Sequence, residues 1–301
     1  MPSLQSPAGA LPARFRQARV LIAGYGDIGQ RVARLLPARV RVLALNREAA
    51  RAAPLRSQGV QPLAGDLDEA ASLRRLAGIA THVIHLAPPP ATGDGDPRTA
   101  ALLRALALRR APLALVYGST SGVYGDCGGA LVTETRPVNP GTARARRRVA
   151  AEARVRAFGR ASGARASIVR IPGIYANDRA SPRARLLQGT PALAPEDDVY
   201  TSHIHADDLA RACIAALWRG KAQRVTHASD DSRLRMGEYF DLAADLYGLP
   251  RPPRISAAAA RAELPPALLS FMSQSRRLDN TRLKRELRLR LRYPTPRSGL
   301  L

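Results

Sequence analysis

Short apolar runs alternate along this chain with stretches whose apolar residues return every three to four positions. Val20–Ala23, Val40–Leu45, Gln61–Ala64, Thr81–Leu86, Leu113–Tyr117 and Ser167–Ile171 read as strands. Helical spacing falls between them, over Glu69–Leu76, Arg98–Arg109 and Ala143–Ala161. Further on, Ile204–Trp218 reads as a strand end followed by a helix, and Arg224–Ala228 as another strand. Met236–Tyr247 is an amphipathic helix with Met236, Tyr239, Phe240, Ala243 and Tyr247 on one side. The proline-rich tract Leu249–Ile255 breaks the chain before short C-terminal helices, and no internal repeat is present. Strands that alternate with helices predict an α/β fold, a doubly wound parallel sheet of the Rossmann-like kind with right-handed crossovers. Ligands of that architecture bind at the carboxyl ends of the strands.

The first strand runs into Gly24-Tyr25-Gly26-Asp27-Ile28-Gly29, a G-x-G-x-x-G motif followed by a helical pattern of Ile28, Val32, Leu35 and Leu36. In that setting Gly24 permits a tight turn, Gly26 lets the backbone approach a pyrophosphate, and Gly29 lets helix and strand pack closely. The helix N-terminus adds free N–H groups and a positive dipole end. The motif therefore predicts a bound dinucleotide. The second strand ends at Asn46, where an NAD-specific site places a carboxylate on the ribose 2′-hydroxyl, and Arg47 follows; an arginine there suits a 2′-phosphate. NADP is therefore favoured over NAD. The expected organisation is a flexible tail over 1–17, a dinucleotide-binding core over 18–175, and a C-terminal part over 176–301. Within the last, 200–228 returns to the core, while 176–199 and 229–301 form a small substrate lobe.

Charge changes this picture little. The 301 residues carry a formal net charge of +23, yet only Lys221 and Lys284 are lysine and the arginines are spread throughout. With 4% aromatic residues there are few platforms on which bases could stack, so no specific nucleic-acid partner is expected beyond weak polyanion binding at low salt. Cys127 and Cys213 are too few and too far apart for a disulfide framework or a metal cluster. Met1–Gln17 lacks the continuous apolar stretch of a secretory signal, and no segment approaches membrane-span length. The expectation is a cytoplasmic protein without membrane contact. His203 and His205, two apart in an extended stretch, share one face and suggest a metal pair, but nothing completes the site; no metal is expected, with His205 structural and Asp207 and Asp208 starting the next helix.

Several further motifs carry a resemblance: Gly65-Asp66-Leu67, His85-Leu86-Ala87-Pro88, Ser119-Thr120-Ser121-Gly122-Val123-Tyr124-Gly125-Asp126, Arg170-Ile171-Pro172-Gly173-Ile174-Tyr175, His205-Ala206-Asp207-Asp208-Leu209-Ala210 and Leu291-Arg292-Tyr293-Pro294. With the glycine motif they resemble the short-chain dehydrogenase/reductase superfamily, in its NAD-dependent epimerase/dehydratase group, over nearly the whole chain. The glycine motif and the tail look most like the atypical, YeeZ-like branch. The resemblance implies that Asp66 and Leu67 hold the adenine end of the cofactor and that Leu86, Ala87 and Pro88 lie beside the nicotinamide ribose. It implies that Pro172 and Gly173 lie against the nicotinamide face and that Thr120 hydrogen-bonds a substrate carbonyl or alcohol. Asp66 also reads as a turn residue and Thr120 as a loop hydroxyl satisfying its own backbone.

The departure from that family is sharper than the match. Its helix after the fifth strand carries Tyr-x-x-x-Lys, the tyrosine as general acid/base and the lysine lowering its pKa and holding the ribose. Here the alignment on Pro140 and Ala150-Ala151-Glu152 puts Arg144 at the tyrosine and Arg148 at the lysine. Arginine keeps its proton at any relevant pH, so Arg144 cannot transfer it, whereas Arg148 can supply charge to a ribose or phosphate. Tyr124 and Tyr175 are then the candidate phenols, each equally readable as packing with a polar tip.

Three readings remain open: an NAD(P)-dependent oxidoreductase or epimerase acting on a carbonyl or alcohol of a small or sugar-like substrate, a redox-silent dinucleotide binder, and a polyanion binder. Arg144, Arg146, Arg147, Arg148, Arg154, Arg156 and Arg160 against a single Glu152 on one helix predict a monomer or weak dimer, since a two-fold interface through that helix would oppose like charges.

Overall fold

The structure, a computed structural model, describes residues 17–179 and 182–301. The tail expected over 1–17 lies outside the described residues apart from Gln17. The main elements are β1 (Arg19–Ala23), α1 (Asp27–Leu35), β2 (Arg41–Asn46), α2 (Ala52–Ser57), β3 (Gln61–Ala64), β4 (His82–His85), α3 (Pro97–Ala107), β5 (Ala114–Thr120), α4 (Ala143–Ser162), β6 (Arg165–Ile171), α5 (Ala206–Arg219), β7 (Val225–His227) and α6 (Met236–Tyr247). The seven strands form one parallel sheet in the order β7-β6-β5-β4-β1-β2-β3. Strand β1 pairs on one side with β2, Ile22 opposite Ala44, and on the other with β4, Ile22 opposite Ile84. The chain therefore reverses its direction of winding between β1 and β4, and a crevice opens there at the carboxyl ends.

Side chains alternate across the sheet, and each face has its own core. Val20, Ile22, Ala44, Ile84, Val116 and Val169 meet Val32 of α1 and Leu209, Cys213 and Leu217 of α5. Leu21, Leu43, Leu63, Val83, Leu115 and Ile168 meet Leu102 and Leu106 of α3 and Ala151 and Val155 of α4. A fully buried Val, Leu or Ile side chain contributes about 1.5–3 kcal/mol. A third cluster, with Tyr175, Leu193, Met236, Tyr239, Phe240, Ala243 and Leu300, gathers the C-terminal segments around α6. There the apolar face read from the sequence is buried except for Tyr247, which is half-buried. His203–His205 pairs parallel with Gly173–Tyr175 in a separate two-stranded sheet.

Some elements differ from the sequence reading. The helix expected over Glu69–Leu76 is a 3₁₀ stretch, Ala70–Leu76, in which Leu73 and Leu76 bury one tighter turn apart. Strand β5 runs on to Thr120, pairing opposite Ile171, while Leu113 at its expected start is exposed. Leu35, assigned to the buried face of α1, is exposed, and the neighbouring Arg31 is buried instead. Arg31 donates to Asp27 at 2.8 Å and Asp207 at 2.5 Å, and also bonds Asp178. One guanidinium thus ties α1 to α5 and to the loop after Tyr175. Of the α4 arginines counted for like-charge repulsion, Arg147 turns inward to Gly93 O at 2.8 Å, and Arg148 and Arg156 are half-buried. Arg144, Arg146, Arg154 and Arg160 remain exposed.

Gly24 adopts φ +99°, and a Cβ there would lie 2.3 Å from the backbone N of Ala87. Gly26 has φ −88°, and a Cβ there would meet nothing within 4 Å. Gly24→Ala should therefore destabilise the protein by at least about 1–3 kcal/mol. Gly26→Ala should stay within about 1 kcal/mol of the parent, the cost of a poorer N-cap. Urea midpoints of the two variants test the contrast.

Candidate functional site

A groove of about 400 Å³ lies at the carboxyl ends of β1 to β4. Its floor is the glycine turn: Gly24, Tyr25 and Gly26 line it directly. Gly29 does not; a Cβ there would lie 2.8 Å from Gly24 O and 3.2 Å from Ile22 Cγ2, so this glycine serves the close packing of α1 on β1. Gly26, by contrast, faces open space at the first turn of α1. Backbone is thus exposed there to a ligand, next to N–H groups that the helix cannot satisfy itself. Asp27 and Ile28 lie beyond the groove, with Asp27 accepting from Arg31 and paired with Arg179.

The walls come from the turns after β2, β3 and β4. Asn46, Arg47, Asp66, Leu67, Leu86, Ala87 and Pro88 all line the groove. Asn46 closes its own loop, its Nδ2 donating to Glu48 O at 2.7 Å and its Oδ1 accepting from Glu48 N at 3.3 Å. Asp66 does likewise, its Oδ1 accepting from Asp68 N at 3.0 Å, so it is both turn residue and groove wall. Sequence reasoning missed Glu48, Arg51 and Arg98, which also line the groove. Glu48 brings a carboxylate to the wall where none was expected, 3.6 Å from the Arg47 guanidinium. Arg98, at the start of α3, grips Asp68 through two bonds of 2.7 and 2.6 Å and holds its carboxyl below the usual range. No spacing rule links Arg98 to Asp68, which lie thirty positions apart.

The remaining expected residues lie at the ends of β5 and β6. Thr120 is half-buried and its Oγ1 accepts from Gly122 N at 3.2 Å, satisfying its own backbone as one of its two readings held. Pro172 is half-buried and Gly173 exposed; a Cβ on Gly173 would lie 3.0 Å from His203 Cδ2. The two candidate phenols are not presented to a cleft. Tyr124 is 1% exposed, and Arg170 Nη1 donates to its oxygen at 2.7 Å. His227 Nδ1 faces the carbonyl of Asp279 at 2.9 Å and so carries the proton, leaving Nε2 to accept from the Tyr124 hydroxyl at 2.5 Å. Burial lowers the His227 pKa to about 4, consistent with the neutral ring, and burial also raises the Tyr124 pKa. Tyr175 is fully buried, donates to Tyr293 O at 3.4 Å, and has its pKa raised by burial. Both phenols are core groups with polar tips, and neither can reach a substrate without repacking.

Beneath them lies a buried ion pair. Arg170 bonds Glu152 at 3.0 and 2.7 Å, and Ser119 donates to the same carboxylate at 2.6 Å. This joins β5, β6 and α4 just behind Thr120. Arg148 reaches the same strand, its Nη1 donating to Gly118 O at 2.7 Å and to Tyr117 Oη at 3.0 Å. Arg144 lies one turn earlier on α4; desolvation and the Arg148 charge lower its pKa. His203 and His205 do not meet at a metal position: His203 stacks on Tyr239 at 4.0 Å and His205 on Tyr293 at 3.6 Å. His205 Nδ1 accepts from Asp207 N and so caps α5. Among the described residues no three His, Cys, Asp or Glu side chains assemble into a metal-binding group, and no helix is long and apolar enough to cross a membrane.

Comparison with known proteins agrees with this geometry. The NAD dependent epimerase/dehydratase family profile matches residues 20–228, and no curated protein matches the sequence. Among solved structures, a conserved protein of unknown function from Silicibacter pomeroyi DSS is 32% identical, with a TM-score of 0.77, over 94% of this chain and 96% of that one. The dTDP-glucose 4,6-dehydratase DesIV of Streptomyces venezuelae shares the fold at 21% identity and a TM-score of 0.74, over 93% and 94% of the two chains. The UDP-glucuronic acid 4-epimerase of Bacillus cereus does so at 18% identity and 0.73, over 94% and 96%. With its crevice between β1 and β4, its glycine turn and a family match across the whole sheet, this chain belongs to the NAD-dependent epimerase/dehydratase family.

Proposed function

We propose that this protein is an oxidoreductase or epimerase of the atypical branch of its family, binding NADP and acting on a carbonyl or alcohol of a small or sugar-like substrate. The observation that carries the reading is the groove itself, where Gly26 opens onto space and the turns after β2, β3 and β4 form walls. The residues fit a dinucleotide: Gly24, Tyr25 and Gly26 under the pyrophosphate, Asp66 and Leu67 at the adenine end, Leu86 to Pro88 along the nicotinamide ribose, and Arg148, Pro172 and Gly173 towards the nicotinamide. When bound, the cofactor supplies or accepts a hydride at C4 of its nicotinamide. Thr120 orients the substrate oxygen, and with Tyr124 and Tyr175 enclosed, water carries the proton. A second reading, the redox-silent binder, is favoured by that same enclosure together with arginine at the tyrosine position.

The NADP preference is supported by Arg47 and Arg51 on the groove wall and opposed by Glu48 beside Arg47. A charge-assisted bond to a 2′-phosphate is worth about 1.5–3 kcal/mol. Calorimetric titration should therefore show NADP binding more tightly than NAD, with the margin falling roughly tenfold in Arg47→Ala. Tighter binding of NAD, or an unchanged margin in the variant, would overturn the preference.

Loss of a positioned general acid/base costs about 10²–10⁴-fold in rate. Hydride transfer on nucleotide sugars should be correspondingly slow in stopped-flow absorbance at 340 nm, and slower again in Thr120→Val, while cofactor affinity is retained. Binding without any turnover across a broad carbonyl and alcohol panel would decide for the silent binder.

The protein is also proposed to be a monomer or weak dimer, because Arg146, Arg154 and Arg160 stand exposed on α4. Light scattering at physiological salt should give the monomer mass at submicromolar concentration; a stable dimer there would refute this.

A further inference from the structure

We infer that the groove between α3 and α4 docks an acidic amphipathic helix of a partner protein, its apolar side on the groove floor and its carboxylates against Arg104 and Arg154. The groove shares no lining residue with the one at the carboxyl ends of β1 to β4, so a partner there is independent of the dinucleotide reading.

This groove has a volume of about 560 Å³. Its floor is Leu103 and Phe158, 6% and 9% exposed, which also join the core between this helical layer and the sheet. Pro97, Ala100 and Ala107 of α3 and Ala157 of α4 form its slopes. Pro97, Ala107 and Ala157 are exposed, so apolar surface faces water here. Arg104 and Arg154 stand on the rim, both exposed. Arg104 Nε donates to Ala100 O at 3.3 Å, and among the described residues neither guanidinium forms an ion pair. The two helices supply no exposed carboxylate: α3 has no Asp or Glu, and the single acid of α4, Glu152, is 4% exposed and held by Arg170 at 2.7 Å. Elsewhere arginines find acids, as Arg98 does with Asp68, Arg251 with Asp245 and Arg254 with Asp241.

Charge and backbone chemistry select the occupant. A two-fold pairing sets a patch against its own copy, so a second copy of this chain would crowd the arginines of both around one apolar floor with no carboxylate among them. An extended peptide fits no better, because both walls are helices whose backbone groups are bonded within each helix, and no strand edge is offered. A helix satisfies its own backbone and packs into the groove between two others. From Pro97 to Ala107 the groove runs ~15 Å, just under three helical turns. Apolar residues recurring every three to four positions on the partner helix cover that floor, and Asp or Glu beside them take two N–H groups each from the guanidinium forks. Nucleic acid matches the charge but not the floor, which presents no exposed aromatic ring for stacking.

The test is fluorescence anisotropy of labelled three-heptad peptides with the full chain at physiological salt. One peptide repeats Leu-Glu-Ala-Leu-Ala-Glu-Glu, a second has the same composition in an order without an apolar face, and a third carries Lys for each Glu. The first should bind roughly tenfold or more tightly than either of the others. Ala157→Glu, which puts bulk and a carboxylate on the groove slope, should remove that preference. Arg104→Gln combined with Arg154→Gln should weaken binding of the first peptide roughly tenfold. Arg39→Gln combined with Arg261→Gln, which removes two exposed charges elsewhere, should leave it unchanged. The thermal midpoint of each variant reports that it is folded. Equal binding of the acidic peptide and its reordered isomer, no binding of either, or a preference retained in Ala157→Glu would overturn the inference. So would an equal loss in the Arg39 and Arg261 variant, which would assign the effect to the net charge of +23. Displacement of the peptide by an equal concentration of oligothymidylate would assign the groove to nucleic acid instead, and a dimer of the protein alone that Ala157→Glu dissociates would assign it to a second copy.

Discussion

The close passage of the Gly24 backbone against Leu86 and Ala87 sets the geometry on which the rest of this structure depends. Ala87 N donates to Ala23 O at 3.0 Å, and Leu86 N does so at 2.7 Å, so the segment leaving β4 stays bonded to the end of β1. Only a residue without Cβ and with a positive φ fits between them. That contact brings the end of β4 beside the first turn of α1, and the groove forms between it and the turns after β2 and β3, which lie on the other side of β1. The groove in this fold is thus a consequence of backbone approach before it is a matter of side chains.

At the far end of the cleft side-chain chemistry dominates. The buried Arg170–Glu152 pair fixes α4 against β5 and β6, and Ser119, Tyr124 and His227 complete its hydrogen bonding. Breaking one partner of such a pair strands the other charge in the interior, so the pair holds these elements in place. On this rigid base α4 carries Arg144 and Arg148, at the two positions where the family resemblance leads one to expect tyrosine and lysine. A guanidinium stays protonated at neutral pH and so does not serve as a general acid or base, but it is well suited to holding oxyanions.

Much of this was legible in the residues. Strand and helix periodicity predicted the parallel sheet, and the glycine spacing located the turn, because both depend on local backbone geometry and on which faces must be apolar. The groove residues after β2, β3 and β4 were found by their motifs. What periodicity could not show was polar pairing across long sequence distances. Arg31 of α1 is buried among carboxylates from three segments. Arg98 meets Asp68, and Arg276 meets Ser121, across 30 and 155 positions.

The sequence alone therefore determined the fold class and the site of the glycine turn, since each is a statement about residue type at a local position. Only the tertiary structure decided that Tyr124 and Tyr175 are enclosed and that Glu48 reaches the groove beside Arg47. It alone showed that Arg276, from the C-terminal segment, bonds the turn that follows Thr120. A phenol, a carboxylate and a guanidinium each have the same composition whether buried or exposed; their burial and their partners decide what they do, and these arise only when distant segments pack.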